Sequence, residues 1–288
     1  MNLKITNGRV IDPALGIDSV LDVEIRDGVI ADVSKKTKGG DSEIFDASGM
    51  WVVPGLVDLY AHLREPGEEY KEDIASGSLA AAKGGFTTVM CAPDTNPVID
   101  NAAIVEEVIK KGEAVGLVEI IPQGAISQGL EGSHLSEIGD MARAGIRSVT
   151  NADSAISTMR FLRNCYEYVG TFGLIPSLVP LEASMWEGAV AGEGFIATKL
   201  GLKSVPAASE EAVIAREIAL SELTGVPVHI MKVTTAGGVR LISDARARGV
   251  KVFASVTQHH LALDDSALLE YDVNCKVVPP LRGGEDRP

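Results

Sequence analysis

The feature that most constrains the fold is a pattern of apolar strand followed by helix, which starts near residue 55 and repeats along the rest of the chain. The pattern predicts strands at 56–62, 87–92, 118–122, 147–150, 174–179, 228–233 and 252–256. Helices are predicted between them, at 73–83, 104–111, 135–144, 157–169, 210–224 and 239–248. Strands that alternate with helices indicate right-handed crossovers and a parallel sheet, and this many units in series favour a barrel. The sequence therefore predicts an α/β barrel with its site at the carboxyl ends of the strands.

The first 50 residues have a different pattern, in which short alternating apolar stretches are separated by turn signals. Asn7-Gly8 and Asp27-Gly28 each predict the turn of a β-hairpin. The chain is therefore predicted to consist of a small β portion at 1–50 and a (β/α) barrel at 51–288.

The pattern contains seven strands, one fewer than a (β/α)8 barrel needs, and the sequence ends at Pro288. Two explanations remain open: the pattern misses one strand, or a C-terminal portion carries it. We favour the second, and we expect the native chain to be longer, because a barrel without its last strand would expose unpaired edges and apolar surface.

Charge and composition argue against several classes of partner. The formal net charge is −14, whereas nucleic acid and anionic membrane surfaces both require a basic face. No stretch approaches the roughly 20 apolar residues of a membrane span. Cys91, Cys165 and Cys275 are odd in number and far apart, so neither a disulfide framework nor a thiolate zinc site is predicted. The cytoplasm, which is reducing, is the simplest predicted location.

Asp58, Tyr60 and His62 lie on the first predicted strand of the barrel, at positions that share one face. A His-x-His pair in this place would direct two imidazoles at one metal ion. A phenol is a much poorer ligand, because its ordinary pKa is about 10 and a metal requires the deprotonated oxygen. Tyr60 therefore indicates a metal site that has lost a ligand.

The stretch that surrounds these residues, at 54–67, reads PGLVDLYAHLREPG and closely resembles the dihydroorotases of the amidohydrolase superfamily. Further matches in register are found at 80–88, 93–98, 259–261, 279–282 and 285–287. The resemblance extends over essentially the whole chain. It implies a distorted (β/α)8 TIM barrel with a small β-sandwich built from both termini, a zinc centre, and hydrolysis of dihydroorotate in pyrimidine biosynthesis.

The metal ligands that this resemblance implies are mostly replaced. Their positions correspond to Tyr60, His62, Asn151, Pro180 and Lys232, of which His62 alone keeps the implied residue. Asp153 is displaced by at least one residue from the ligand position, which on a strand would turn it to another face. Lys232 would bring a positive charge to the place of the metal, unless it is carbamylated. The ligand on the eighth strand would lie beyond Pro288.

Substrate contacts implied by the resemblance are partly lost as well. Arg64, which would bind the carboxylate of the substrate, is kept and can form a bidentate pair. Asp94 replaces an asparagine, and its charge would repel an anionic substrate. Val278 replaces a second asparagine and offers no hydrogen bond.

Two functions are considered. The leading hypothesis is a catalytically inactive dihydroorotase-like protein, without a cofactor, that forms an oligomeric complex with aspartate carbamoyltransferase as its structural partner. The stretches at 58–67 and 93–97 resemble those of inactive chains that accompany this transferase in bacteria. The alternative is an active zinc-dependent amidohydrolase, in which Arg64 orients a cyclic amide. Its metal would be bound by His62, Asp94, Asp153 and Glu182.

The remaining histidines have simpler interpretations. His229 precedes Lys232 by three residues, so it is predicted to face the other side of the strand and to pack there. His259 and His260 match a motif of the family that is mainly structural.

Overall fold

Strands and helices alternate along most of the chain, which the computed structural model describes at residues 2–37, 42–156, 158–284 and 286. Within these ranges the chain divides into two compact units, Met1–Leu56 and Val57–Pro288. Ser157, at the predicted start of a helix, and Glu285 and Arg287, from the last matching stretch, lie outside the described residues.

The first unit is a mixed β-sheet. Its strands are β1 (Leu3–Asp12), β2 (Ile17–Arg26), β3 (Val29–Ser34), β4 (Glu43–Asp46) and β5 (Trp51–Val52). The order across the sheet is β3-β2-β1-β4, and β5 also pairs with β1. The neighbours β1–β2 and β2–β3 are antiparallel, whereas β4 and β5 run parallel to β1.

The hairpin predicted at Asn7-Gly8 is wrong, because these residues lie inside β1. The register with β2 shifts between Ile5 and Gly8, and Asn7 has a φ of 61°, so the turn signal marks a β-bulge. A Cβ on Gly8 would lie 2.5 Å from Cγ2 of Val52, which explains the need for glycine. The turn predicted at Asp27-Gly28 is confirmed, and it connects β2 to β3.

From Leu56 onward the chain builds an α/β unit. Its strands are β6 (Leu56–Ala61), β7 (Phe86–Cys91), β8 (Glu119–Pro122), β9 (Gly124–Ala125), β10 (Ser148–Thr150), β11 (Ile175–Leu178), β12 (Ala191–Gly192), β13 (Ser204–Val205), β14 (Val228–Ile230) and β15 (Val252–Ala254). Its helices are α1 (Ile74–Lys83), α2 (Ala102–Val115), α3 (Ile138–Ala144), α4 (Met159–Thr171), α5 (Ala183–Trp186), α6 (Phe195–Leu200), α7 (Ala207–Thr224), α8 (Ala236–Ala247) and α9 (Gln258–Ala262).

The main strands follow one another in chain order. One sheet has the order β6-β7-β8 and a second has the order β9-β10-β11-β14-β15. A single residue, Gln123, separates β8 from β9, so the order continues from the first sheet to the second. Parallel pairing is observed for β7–β8 and between all neighbours of the second sheet. In the described part of the chain β15 and β6 do not pair, so the strands form no closed ring there.

The α/β prediction and its order of elements are confirmed. The sequence analysis missed the short elements at 183–205, namely α5, β12, α6 and β13, because two to six residues are too few to show a hydrophobic period. The core lies between the strands and the helices, and its large, fully buried side chains include Ile126, Leu162, Tyr166 and Ile230. Among the described helices, none is long and apolar enough to cross a membrane.

Candidate functional site

A cleft of about 520 Å³ runs along β6 from Val57 and reaches the residues that follow β6, β10, β14 and β15. Tyr60 and His62 come from β6 and the residue just after it, and Asp153, Lys232 and His259 follow the other three strands. The carboxyl ends of parallel strands are where α/β folds place their sites. This cleft is therefore the candidate functional site.

An ion pair lies in this cleft, between Lys232 and Asp153. The Lys232 Nζ atom donates a hydrogen bond to Asp153 Oδ1 at 2.7 Å, and it lies 4.7 Å from the centre of the Tyr60 ring. The Lys232 side chain is 10% exposed. A cation over an aromatic face is favourable, and it is more so where water is largely excluded.

The prediction that Asp153 faces away is wrong. Strand β10 ends at Thr150, and Ala152 has a φ of 50°, so the alternation of faces along a strand no longer applies at Asp153. Lys232 has a φ of 55° and lies two residues beyond the end of β14. Left-handed backbone is uncommon for residues other than glycine, and it concentrates at functional sites. The ion pair thus depends on left-handed backbone on both sides, at Ala152 next to Asp153 and at Lys232 itself.

Tyr60 packs against Val179, Leu181 and Met231, and its hydroxyl is buried without a hydrogen-bond partner among the described residues. Burial raises the pKa of Tyr60 far above its ordinary value, and the negative charge of Asp153 adds to the effect. The phenol therefore stays protonated, and it does not supply the phenolate oxygen that a metal needs.

His62, Asp94 and Arg64 form a second polar cluster. His62 Nδ1 lies 2.9 Å from Asp94 Oδ1, and Arg64 Nη1 donates to Asp94 Oδ2 at 3.0 Å. Burial acts to raise the pKa of Asp94, but the hydrogen bond and charge of His62, together with the charge of Arg64, bring it below its ordinary value. Arg64 Nη1 also donates to Glu68 Oε2 at 3.3 Å, so this nitrogen is already hydrogen-bonded to two carboxylates of the chain itself. Asp94 thus accepts the hydrogen bond from Arg64 that a substrate carboxylate was expected to accept.

Three further positions from the implied and alternative ligand sets have other roles. Asn151 is 1% exposed; its Oδ1 accepts from Ser127 Oγ at 2.6 Å, and its Nδ2 donates to two backbone carbonyls. Pro180 is buried and has no polar atom in its side chain. Glu182 accepts the backbone N–H of Ser184 at 3.1 Å, where α5 begins.

The residues present do not fit the zinc centre that the resemblance implies. No group of three or more His, Cys, Asp or Glu side chains in the described ranges is arranged to hold a metal ion. The Lys232 ammonium and the protonated Tyr60 phenol cannot serve as ligands, because zinc requires deprotonated oxygen or sulfur, or neutral nitrogen. The alternative set is not assembled either, since Asp153 pairs with Lys232 and Glu182 caps a helix.

His229 is buried in the strand, as predicted for a packed histidine. Its Nδ1 lies 3.2 Å from Ser177 Oγ and its Nε2 lies 3.0 Å from Ser255 Oγ. Burial lowers the pKa of His229 to about 4. His260 also has a structural position, with Nε2 2.9 Å from the carbonyl oxygen of Pro279.

We expect His229 to make the protein less stable in mild acid. Its pKa is lowered from 6.5 to about 4 in the folded state, so between these values the unfolded chain binds a proton that the folded chain does not. The contribution of His229 to the free energy of unfolding is largest above pH 6.5, and it decreases as the pH falls toward 4. From pH 7 to pH 5 this one group contributes a loss of about 2 kcal/mol in the free energy of unfolding.

The check is urea unfolding of wild type, His229→Gln and His134→Gln at both pH values. His134 is exposed and serves as the matched control. His229→Gln is expected to lose less stability on acidification than the other two proteins, and equal losses in all three would contradict the assignment.

Sequence reasoning missed the ion pair and the polar nitrogen of His259, whose Nε2 atom is buried without a partner among the described residues. The signal for the ion pair was present, since Asp153 and Lys232 carry opposite charges just after two strands of one parallel sheet. Such strands end at the same edge, which brings the residues that follow them close together.

Comparisons with known proteins agree with the fold and add a family. A family model described as "Dihydro-orotase-like" matches residues 49–237. A dihydroorotase of Geobacter metallireducens is 44% identical over 287 residues, which are 99% of this chain and 68% of that protein. A dihydroorotase of Geotalea daltonii is 43% identical over 287 residues, with the same shares.

Solved structures of low sequence identity share the architecture. The L-hydantoinase (dihydropyrimidinase) from Arthrobacter aurescens has a TM-score of 0.85 and 22% identity, over 99% of this chain and 64% of that one. The D-hydantoinase (dihydropyrimidinase) from Thermus sp. has a TM-score of 0.77 and 19% identity over the same shares. The chain thus spans about two thirds of the length of the proteins it matches.

Proposed function

We infer the function from the premise that this chain belongs to the dihydroorotase-like family. We propose that it takes part in pyrimidine biosynthesis without hydrolysing dihydroorotate. In this proposal it is a non-catalytic member of the family that binds aspartate carbamoyltransferase and supports it structurally.

The observation that carries the proposal is the Lys232–Asp153 ion pair in the cleft. Metal-assisted hydrolysis requires a dication that lowers the pKa of a bound water and polarises the amide. An ammonium group carries one positive charge and has no coordination position for water. Because Tyr60 and Pro180 replace two further implied ligands, a change at one residue would not restore such a centre.

The partner is proposed on different grounds. Residues 58–67 and 93–97 resemble the corresponding stretches of inactive chains that accompany aspartate carbamoyltransferase. A chain that keeps the fold of an enzyme but lacks its chemistry still offers a large folded surface for a partner, since a fold by itself does not determine a function.

The experiment is a metal and activity measurement on one preparation. Protein treated with chelator, then offered zinc and desalted, is expected to contain less than about a tenth of an equivalent of zinc, because the ligand set is incomplete. Ring opening of dihydroorotate is expected to stay at the rate of the uncatalysed reaction. The dihydroorotase of G. metallireducens, treated in the same way, serves as the reference protein.

A complex with the transferase is tested with the same sample. Size-exclusion chromatography with the aspartate carbamoyltransferase of the same organism is expected to give one co-eluting species of stable stoichiometry. Independent elution of the two proteins at micromolar concentration would contradict the structural role, whatever the metal content.

An active dihydroorotase is a second candidate, favoured by the 44% identity to a protein of that name and by the retained His62 beside Asp94. It requires stoichiometric metal and ring opening that disappears in His62→Ala. A rate that stays the same in His62→Ala would eliminate this candidate.

A further inference from the structure

The loops that follow two neighbouring strands, β9 and β10, are joined by one buried side chain, the amide of Asn151. Its Oδ1 accepts from Ser127 Oγ at 2.6 Å, and its Nδ2 donates to the carbonyl oxygens of Leu130 at 3.2 Å and Ser154 at 3.1 Å. Asn151 is 1% exposed, and Ser127 is fully buried. An amide has one acceptor oxygen and two N–H groups, so Asn151 uses its full hydrogen-bonding capacity to hold the two loops together.

The loop after β10 is the one that carries Asp153. The N–H of Ser154 donates to the carbonyl oxygen of Asn151 at 3.0 Å, which closes a β-turn with Ala152 and Asp153 at its centre. Ala152 has a φ of 50°, and a residue other than glycine keeps such a backbone only where its surroundings hold it. The amide of Asn151 supplies this support, because it bonds the carbonyl oxygen of Ser154 at the far end of the turn.

The other partner of the ion pair, Lys232, is held from a different element. Glu210 lies in the first turn of α7 and is 2% exposed. It accepts from the backbone N–H groups of Thr234 at 2.8 Å and Thr235 at 2.9 Å, just after Lys232. The backbone next to Lys232 is therefore fixed from α7, whereas Asp153 is fixed through Asn151.

A carboxylate at position 151 would not form the same contacts as the amide. An ionised carboxylate can only accept hydrogen bonds, so it would keep the bond from Ser127 and would face the carbonyl oxygens of Leu130 and Ser154 without a donor. Acceptors that face one another in a buried place repel and remain unsatisfied. These contacts therefore require asparagine at the position where the resemblance to the dihydroorotases implies a ligating acid.

We propose that Asn151 is a positioning residue that keeps the carboxylate of Asp153 against Lys232, so that an acid restored at position 151 opens the ion pair instead of adding a metal ligand. The inference rests on the proposed function, because it takes the cleft to be without a metal. It deepens that function, since the metal site is then lost through the hydrogen bonding of two loops as well as through the replaced ligands.

The test measures how fast acetic anhydride labels the Lys232 amine in the folded protein, by peptide mass spectrometry. In the wild type, Lys232 is 10% exposed and is expected to react more slowly than Lys110, which is 74% exposed. Asn151→Asp is expected to raise the rate at Lys232 by about tenfold, because the ammonium loses its hydrogen bond. The matched control is Asn164→Asp, which adds the same charge at an exposed residue of α4 and is expected to leave the rate unchanged.

A second substitution separates positioning from a general structural role. In Asp153→Asn protein the charged partner of Lys232 is already absent, so adding Asn151→Asp is expected to change the rate by less than about twofold. A tenfold increase in both backgrounds would overturn the proposal, and so would an unchanged rate in Asn151→Asp. If Asn151→Asp does not fold, Ser127→Ala removes one bond of the amide and is expected to raise the rate by about threefold, again only where Asp153 is present.

Zinc content of the same samples separates this inference from the proposed function. Wild type and Asn151→Asp, offered zinc and desalted, are both expected to stay metal-free. Stoichiometric zinc in Asn151→Asp alone contradicts the positioning role, because the restored acid would then be a ligand. Stoichiometric zinc in the wild type contradicts the proposed function, whereas a metal-free wild type with labelling that does not respond to Asn151→Asp contradicts the positioning role alone.

Discussion

Replacing Gly67 with alanine is expected to destabilise the protein by about 4 kcal/mol. Gly67 has a φ of 92°, and a Cβ there would lie 1.8 Å from the carbonyl oxygen of Asn96 and 2.7 Å from its carbonyl carbon. These are backbone atoms, which cannot turn away as a side chain can. The N–H of Asn96 donates to the carbonyl oxygen of Pro66 at 2.9 Å, so moving Asn96 away from Gly67 would break that hydrogen bond. The same loop carries Arg64, so the damage would extend to the cluster around Asp94.

A matched variant separates the steric contribution from the backbone contribution. Gly249 has a φ of 88°, and nothing lies within 4 Å of the Cβ that would be added. Gly249→Ala is therefore expected to cost about 1 kcal/mol, which is the preference of L-residues against left-handed backbone. Urea unfolding of both variants provides the free energies. Equal losses would show that the close approach of Asn96 has no energetic effect.

Replacing Glu217 with alanine is expected to cost about 3 kcal/mol. Glu217 is fully buried; it accepts from the Tyr166 hydroxyl at 2.8 Å and from Arg216 Nη2 at 2.6 Å. Burial raises the pKa of Glu217 above its ordinary value even though Arg216 and Tyr166 act to lower it. Removing the carboxylate leaves the guanidinium and the phenol between α4 and α7 without this partner.

Tyr166→Phe is the milder comparison. It removes one hydrogen bond and keeps the ring that fills the core, so about 1 kcal/mol is expected. Thermal and urea unfolding of both variants are the measurements. A Glu217→Ala protein as stable as Tyr166→Phe would mean that the ion pair with Arg216 adds nothing to the fold.

The order of the strands and helices could be predicted from the sequence because each long element has a clear hydrophobic period. The boundaries shifted by a few residues, as for the helix predicted at 104–111 and found at Ala102–Val115. The error at Asn7 has a physical cause, since a positive φ serves a hairpin turn and a β-bulge equally well. The local sequence does not distinguish a hairpin turn from a β-bulge. The pairing of β1 with β2 determines that Asn7 forms a bulge.

The site was predictable where it depends on one strand. Tyr60 and His62 were placed side by side from the period of two, and their ring centres lie 5.0 Å apart. Asp153 was misplaced because the strand ends before it and the chain turns through Ala152. Its pairing with Lys232 joins residues 79 positions apart in sequence, and that contact follows from the packing of strands rather than from any local pattern.

The hydrogen bond between His62 and Asp94 also fixes the direction in which the imidazole presents its lone pair. An ionised carboxylate can only accept, so in neutral His62 the proton is on Nδ1 and the lone pair is on Nε2. A hydrogen-bond donor that approaches neutral His62 therefore meets its lone pair at Nε2, because Asp94 holds the Nδ1 side of the ring.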